Sequence, residues 1–559
     1  GSSMKSISLG ESGSLQNLGE NSALFFKNYG NGGLSTISLR GTSASHTNVL
    51  WNGIPVNSPT LGQSDYSIFP SFLIDDVTVV KGSTSSLFGS GSIGGTVVMD
   101  NSVLAKDSVV SFYSSIGSFG QWNAGVKLQL ELAPKLLAET RIFYGRIEND
   151  FKYQLRGEEV RQPNAAIERK GFSQRFNYQK RNHHLFSELA YAENDREAQP
   201  TKTSASRNQL LTKNLRGVIS HEQYVGDATF FTSIGYAGET TIYNLTSETI
   251  AHTFSGQYAF DFPINDWFST RVGVNTIQSW VRSDSYSEVE QMGQLHAYSS
   301  FSLSPQKWLR ASINLRESFQ EDNAVFTPSL GVESMLGLFN IRMQLSEGYR
   351  IPTFNDRFWV PGGNPDLSPE RSKNAELGID FNQSNISLGA TAFMSNVKDW
   401  IQWTPVNGIF TPSNLREVST KGIEATSDIS LPFSFANIHW IIDYELTLSS
   451  DESIEEENQL IYVPKHSGYS SLSVSKNNII VVFRGNYTGV RYTTLTNSKQ
   501  SELDDFMLLD LTVEKQQMFG TSNMKLRLSL NNILDKDYEN VSNIAMPGRN
   551  FLTELIIKL

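Results

Sequence analysis

The chain has no cysteine among its 559 residues, so neither a disulfide framework nor a thiolate metal site is open to it. Its stability rests on packing and hydrogen bonding. An excess of positive charge is also missing: 46 Lys and Arg stand against 57 Asp and Glu, a formal net charge of −11. With no basic stripe to neutralise phosphates, a nucleic-acid-binding face is excluded. No run approaches the roughly 18–20 apolar residues of a spanning helix, and mean hydropathy is negative. That excludes helical spans but not a barrel, because a strand facing lipid on one side and water on the other averages to neutral. Short regular repeats and an obvious linker are absent as well, which argues against a propeller or a string of soluble domains.

What the chain does have is alternation. From Lys106 onward, short segments carry an apolar face and a mostly polar one. Met524, Leu526, Leu528 and Leu530 interleave with Lys525, Arg527 and Ser529; Met507, Leu509, Leu511 and Val513 interleave with Leu508, Asp510, Thr512 and Glu514. Ile341, Met343 and Leu345 repeat the pattern, as do Phe551, Leu555, Ile557 and Leu559 at the end. Such spacing predicts strands of about 10 residues with one face in lipid. The 33 Phe, 20 Tyr and 9 Trp suit aromatic girdles at two interfaces.

The first hundred residues read differently. Ile37 and Leu39 alternate with Ser38 and Arg40, a Gly-Thr-Ser turn follows, and the run Val49, Leu50, Trp51 closes on Asn52-Gly53, a strong hairpin signal. Between Gly82 and Gly95 lie Gly89, Gly91 and Gly94 among small serines, a spacing that lets backbone pass close to backbone or take positive φ. The stretch is not a phosphate loop, since no Gly-Lys-Ser/Thr precedes a helix, and GSIGG at Gly91–Gly95 has Ile where a nucleophile elbow needs Ser. No Ser-His-Asp or paired-carboxylate arrangement stands out, so the chain is expected not to be an enzyme.

The segments LSTISLRGTSASHTNVLWNGIPVN (34–57) and VTVVKGSTSSLFGSGSIGGTVVMDN (77–101) resemble the plug of TonB-dependent outer-membrane receptors, in the form found in their cobalamin-receptor branch. GYRIPTFNDRFWVPGGNPDLSPERSKNAELG (348–378) resembles the mid-barrel signature of that family, with Pro365 and Pro369 giving the loop a rigid return, and NNILDKDYENVSNIAMPGRNF (531–551) resembles its closing segment. The resemblance implies an all-β transmembrane barrel of 22 antiparallel strands with an α+β plug inside the lumen. On this reading residues 1–104 form the plug and 105–559 the barrel. Twenty-two strands over that length average about 20 residues each with their connections, enough for roughly 10 residues of membrane crossing plus turns. The implied location is multi-pass in the outer membrane of a Gram-negative bacterium, in contact with its lipid. The implied function is TonB-dependent import of cobalamin or a related corrinoid, with a ferric siderophore or other metal chelate as the alternative cargo. A passive porin would fit the barrel but not the plug.

Residue-by-residue carry-over implies ligand contacts at Leu34, Thr36, Ser43, Thr60 and Leu61. The two leucines would offer apolar contact, and Thr36 and Ser43 hydrogen bonds to amide arms. Arg40 and Lys81 are expected to face wall carboxylates and form a lock that pulling by TonB releases. His46, without a second ligand at metal spacing, reads as a packing or hydrogen-bonding residue. The family's loop calcium is not expected: Glu148, Asp150, Glu158 and Glu159 lie among Arg and Lys without the required oxygen spacing, and no cofactor or metal is expected. The loops must then be ordered otherwise, a surface lipoprotein being one candidate partner. His183-His184 cannot chelate from one strand face, and Glu193, Asn194 and Asp195 read as a solvated loop. Arg350, Arg357 and Trp359 could supply the cationic, aromatic vestibule of the alternative reading.

Departures from the family pattern also shape the expectations. The last residue is Leu559, where the family usually ends on an aromatic. Gly1-Ser2-Ser3-Met4 reads as an expression scar on a mature or trimmed form without a secretory signal. No coupling segment for TonB is found before Leu15, and the plug is expected to begin abruptly between Ser14 and Tyr29.

Overall fold

The structure is a computed structural model that describes residues 4–7, 13–101, 104, 108–321, 323–453 and 458–559. Twenty-two antiparallel strands close into a barrel, the first, Val109–Gly117, pairing with both Gln121–Ala133 and the last, Asn550–Lys558. One end of the barrel carries tight turns, such as those at 134–135, 181–182, 226–227 and 266–267. The other carries the long connections 148–166, 351–369 and 532–549. In membrane barrels the short turns face the periplasm and the long loops the exterior, which orients everything below.

The barrel inverts the distribution of a soluble protein. Leu189, Ile219, Ile234, Met343 and Leu345 point outward and are exposed, while Glu139, Arg175, Asn194 and Arg216 point inward and are buried. A period-2 strand can separate the two sets only if lipid takes the first and a polar filling the second. Among the described residues no helix is long and apolar enough to cross a membrane.

The filling is the N-terminal domain. Its five-stranded sheet runs β1 (Met4–Ile7), β6 (Asp76–Lys81), β7 (Gly95–Asp100), β4 (Thr47–Trp51), β5 (Ile54–Pro55), with β4 and β7 parallel; β2 (Phe26–Asn28) and β3 (Ser35–Ile37) form a separate hairpin. The expectation that this domain begins near Ser14 is corrected, because Met4–Ile7 already pairs with Val77–Val80. The Asn52-Gly53 hairpin has φ of 46° and 82°, the double positive φ of a type I′ turn. Leu15, Leu18, Ile37, Val49, Trp51, Phe69, Val77 and Val97 make one apolar core with Ala190 and Val218 of the wall. The helical part is slight: α1 (Ser85–Phe88) is a single turn beside four short 3-10 segments. The boundary expected at 104/105 lies between β7 and Val109, a stretch partly outside the described residues.

Candidate functional site

Three loops of the inner domain reach the long-loop end, and wall contacts fix each of them. In the first, Asn31 Nδ2 donates to Asn149 Oδ1 at 2.7 Å and the Gly32 carbonyl accepts from Arg169 at 3.3 Å. In the second, buried His46 shares a 2.5 Å hydrogen bond with Glu370 while its Nδ1 accepts from the Ser43 N–H at 3.3 Å. Because Nδ1 accepts, Nε2 carries the proton given to Glu370. In the third, Pro59 and Thr60 carbonyls accept from the amides of Phe354 and Asn355, each at 3.2 Å, and Ser58 Oγ donates to Glu239 at 2.7 Å.

These loops carry Leu34, Ser43, Thr60 and Leu61 of the five residues expected to touch ligand, and Thr36 lies in the adjoining strand β3, in different states of access. Leu61 is 51% exposed. Leu34 and Ser43 are half-buried, the Ser43 hydroxyl bonding Ser45 at 2.8 Å. Thr36 and Thr60 are buried, Thr36 in β3 opposite Lys27 and Thr60 bonded to Ser58 Oγ at 3.0 Å.

The expected cationic vestibule takes a different form. Arg350 is buried and spent on Glu370, at 2.7 and 2.8 Å, and on Asp356 at 3.3 Å; Asp356 also caps α2 (Phe354–Phe358) and accepts from Trp403. Arg357 pairs with Glu321 at 2.8 Å, leaving Trp359, 39% exposed, as the member open to solvent. A chain of contacts thus runs from the His46 loop through Glu370 and Arg350 to the loop 351–369.

Below the apex, Arg40 and Lys81 meet three wall glutamates. Arg40 contacts Glu376 at 2.9 Å and Glu424 through two nitrogens at 3.0 Å; Lys81 contacts Glu424 at 2.9 Å and Glu445 at 2.6 Å. Burial alone would lower both cations' pKa values. Glu424 with Glu376 outweighs it and raises that of Arg40, and Glu424 with Glu445 does the same for Lys81. Gly82 makes the cluster possible: its φ is +86°, and a Cβ there would strike the Glu376 carboxylate.

A second tie of opposite polarity went unread in the sequence. Asp75 of the inner domain sits against Arg141 at 2.5 Å, Arg175 at 3.0 Å and Lys127 at 4.0 Å, with Glu139 bridging the same cations. Burial would raise the Asp75 carboxyl, but the cations prevail and hold it at about 2. Asp65 likewise meets Arg196 at 2.8 Å, and wall Glu188 accepts from Asn52 and Asn101. Nothing local marks these partners, which lie 52 (Lys127 from Asp75) to 136 residues away in sequence.

The remaining candidates are structural. Arg146 pairs with Glu148 at 2.8 Å and Lys152 with Glu159 at 2.6 Å, while Arg161 pairs with Asp150. His183 stacks on His221 at the turn end. Glu193–Asp195 are corrected from solvated loop to strand, inside His183–Ala198, with Asn194 buried against Ser67. Among the described residues no group of three or more His, Asp and Glu is placed to hold a metal ion.

Comparison with known proteins agrees with this geometry. Residues 3–96 match the TonB-dependent receptor plug domain and residues 99–533 the TonB-dependent receptor-like β-barrel. A curated relative, the vitamin B12 transporter BtuB of Photobacterium profundum, is 23% identical over 530 residues, spanning 91% of this chain and 84% of the relative. The crystal structure of the siderophore receptor PirA from Acinetobacter baumannii superposes with a TM-score of 0.82 at 16% identity, covering 100% of this chain and 98% of that one. The copper transporter OprC superposes at 0.84 with 14% identity, covering 98% and 96%. At such identities these two likenesses speak for the fold alone.

Proposed function

The chain belongs to the TonB-dependent receptors of the Gram-negative outer membrane, and from that premise we propose that it imports cobalamin or a related corrinoid. The observation that carries the cargo is the apex. The motif Thr42–His46, within the segment that resembles the cobalamin-receptor branch, stands beside the loop Ser58–Leu61 at the exterior end, and the curated relative that matches nearly the whole chain is a vitamin B12 transporter.

The chemistry suits such a ligand. Leu34 and Leu61 present apolar edges, the hydroxyls of Ser43 and Thr60 lie in the same loops and that of Thr36 in the adjoining β3, the buried threonines becoming available as the loops adjust around cargo. Sequestering Arg350 and Arg357 in ion pairs removes the cationic vestibule that an anionic chelate would favour. Bound cargo would press on the His46 loop, whose hydrogen bond to Glu370 leads to the loop 351–369. TonB, driven by the inner-membrane proton gradient, then supplies the force that parts plug from wall at Arg40 and Lys81. A surface lipoprotein capping the barrel remains part of this proposal, since Glu148, Asp150 and Glu159 are already paired with cations and calcium is not needed to neutralise them.

Equilibrium binding of cyanocobalamin to the detergent-solubilised protein tests the reading, with ferric siderophores as controls and with and without calcium. We expect tight corrinoid binding that calcium does not change. Binding of a ferric siderophore without binding of cyanocobalamin would reassign the cargo to the chelate alternative.

A further inference from the structure

Arg40, Lys81, Asp75 and Asp65 of the plug each meet the opposite charge on the wall. Glu20 does not. It lies near the end of the short helical turn Leu15–Asn21, and the ionisable groups facing it are Asp510 of Phe506–Phe519, Glu554 of Asn550–Lys558, Arg484 of Ile479–Thr488 and Tyr538 of the loop 532–549. Among the described residues the Glu20 carboxyl makes no hydrogen bond or ion pair. The one facing cation is engaged elsewhere: Arg484 donates to Asn21 Oδ1 at 3.2 Å and to Thr512 Oγ1 at 2.8 Å.

Glu20 is exposed, but to a chamber of about 220 Å³ between plug and wall, which Asp510 and Tyr538 also line. The chamber is smaller than the roughly 300–1,000 Å³ of ligand pockets, so it is not a second cargo site. Ser118, Thr488 and Asn531 in its lining stand at the long-loop ends of the wall, which puts it in exchange with the exterior side. Enclosure by protein raises the Glu20 carboxyl, the Asp510 charge raises it further, and Arg484 opposes them only in part; the outcome is about 7, against an ordinary 4.5.

The two ends of the turn are held differently. Leu15 and Leu18 at its start are buried in the plug core. At its end, Ser22 Oγ donates to the Leu18 carbonyl at 2.7 Å and Asn21 Nδ2 to the Asn17 carbonyl at 3.3 Å, bonds that stay within the segment. Among the described residues Gly19–Asn21 is fastened to the wall by two hydrogen bonds, that of Arg484 to Asn21 Oδ1 and that of Asn486 Nδ2 to the Glu20 carbonyl at 3.1 Å. Both go to neutral acceptors, the weaker kind. The wall behind them is acidic, and its carboxylates have partners of their own: Asp510 accepts from the Asn532 amide at 2.8 Å, and Glu554 pairs with Arg527 at 3.2 Å.

We propose that Glu20 is a proton-operated latch between plug and wall. Protonated, it lets Gly19–Asn21 lie against Arg484 and Asn486. On ionisation its proton passes to solvent, and the new charge, facing Asp510 and Glu554, pushes the turn off both residues. A released turn carries a carboxyl that ionises near the ordinary value of about 4.3, so docking is fully favoured below that pH, weakens as pH rises toward ~7 and changes no further above it. The Asp75 tie runs the other way, weakening only below pH ~4, and so stays constant where Glu20 titrates. Exterior pH thereby sets how firmly this part of the plug is seated, a regulation beyond the import reading above.

Hydrogen exchange of the detergent-solubilised full chain tests it, read as protection factors so that the intrinsic pH dependence of exchange is removed. In the wild type, protection of residues 15–23 is expected to fall by about tenfold or more between about pH 5 and pH 7.5, while β6 and β7 keep theirs. Glu20→Gln, which cannot ionise, should hold the segment at its acid-side protection throughout. Asp510→Asn, which removes the facing charge, should shrink the fall. Protection of 15–23 that stays flat with pH in the wild type, or that falls equally in Glu20→Gln, would overturn the latch. The measurement uses no cargo, so its failure and that of the import reading are separate results.

Discussion

Arg40 and Lys81 show how single side chains decide whether this pore stays closed. Glu376, Glu424 and Glu445 are buried or nearly so, and their charge is tolerated because two plug cations face them. Removing one side of a buried pair typically costs about 3–5 kcal/mol, because it strands the other charge. Arg40→Gln with Lys81→Gln should therefore lower hydrogen-exchange protection of β6 and β7 by several kcal/mol and alter uptake; unchanged protection and uptake would dismiss the lock. Asp75 makes a pH prediction. Its folded pKa of about 2 lies below the roughly 3.9 of an unfolded aspartate, so the tie contributes fully above pH ~4 and is lost as pH falls through ~2. Asp75→Asn should be less protected than wild type at pH 7, and that difference should vanish near pH 2 in exchange measurements of the 71–81 segment. Arg40 and Lys81 could be singled out in the sequence because the resemblance placed them in the plug. Asp75 could not, since its meaning lies in Arg141 and Arg175, brought to it only by the curvature of the wall.

At the scale of elements, alternation made the strands readable. Leu345, with Ile341 and Met343, lies on the lipid face of Phe339–Arg350, while Gln344 and Ser346 are buried inside. Leu345→Arg should cost about 2–4 kcal/mol in reversible folding into phospholipid vesicles, the usual cost of a cation near the bilayer midplane. An equally stable variant would place Leu345 elsewhere. The Asn52-Gly53 hairpin was readable for an equally local reason, the turn chemistry of its two central residues. Strand β1 was not, because Met4–Ile7 has too short an apolar pattern and becomes a strand only by pairing with β6. The same applies to Glu193–Asp195: polar residues read as loop in isolation, yet a lumen-facing strand of a plugged barrel is where polar residues are buried.

At the scale of the whole molecule, the wall is a closed ladder of 22 strands with no edge to open, and the plug is a small domain held by discrete polar ties. Force applied from the periplasm therefore acts on the plug. The resemblance made this architecture legible from three segments in order along the chain, but the ties between plug and wall, such as Asp75 to Arg141 and Arg175, have no local sequence signature, because they arise from how the plug sits in the wall. The most direct test of the account is uptake of radiolabelled cyanocobalamin by cells that depend on this receptor, with and without functional TonB. We predict uptake that stops when TonB is removed while surface binding persists. Cyanocobalamin entry that continues unchanged without TonB would contradict a plug-gated importer.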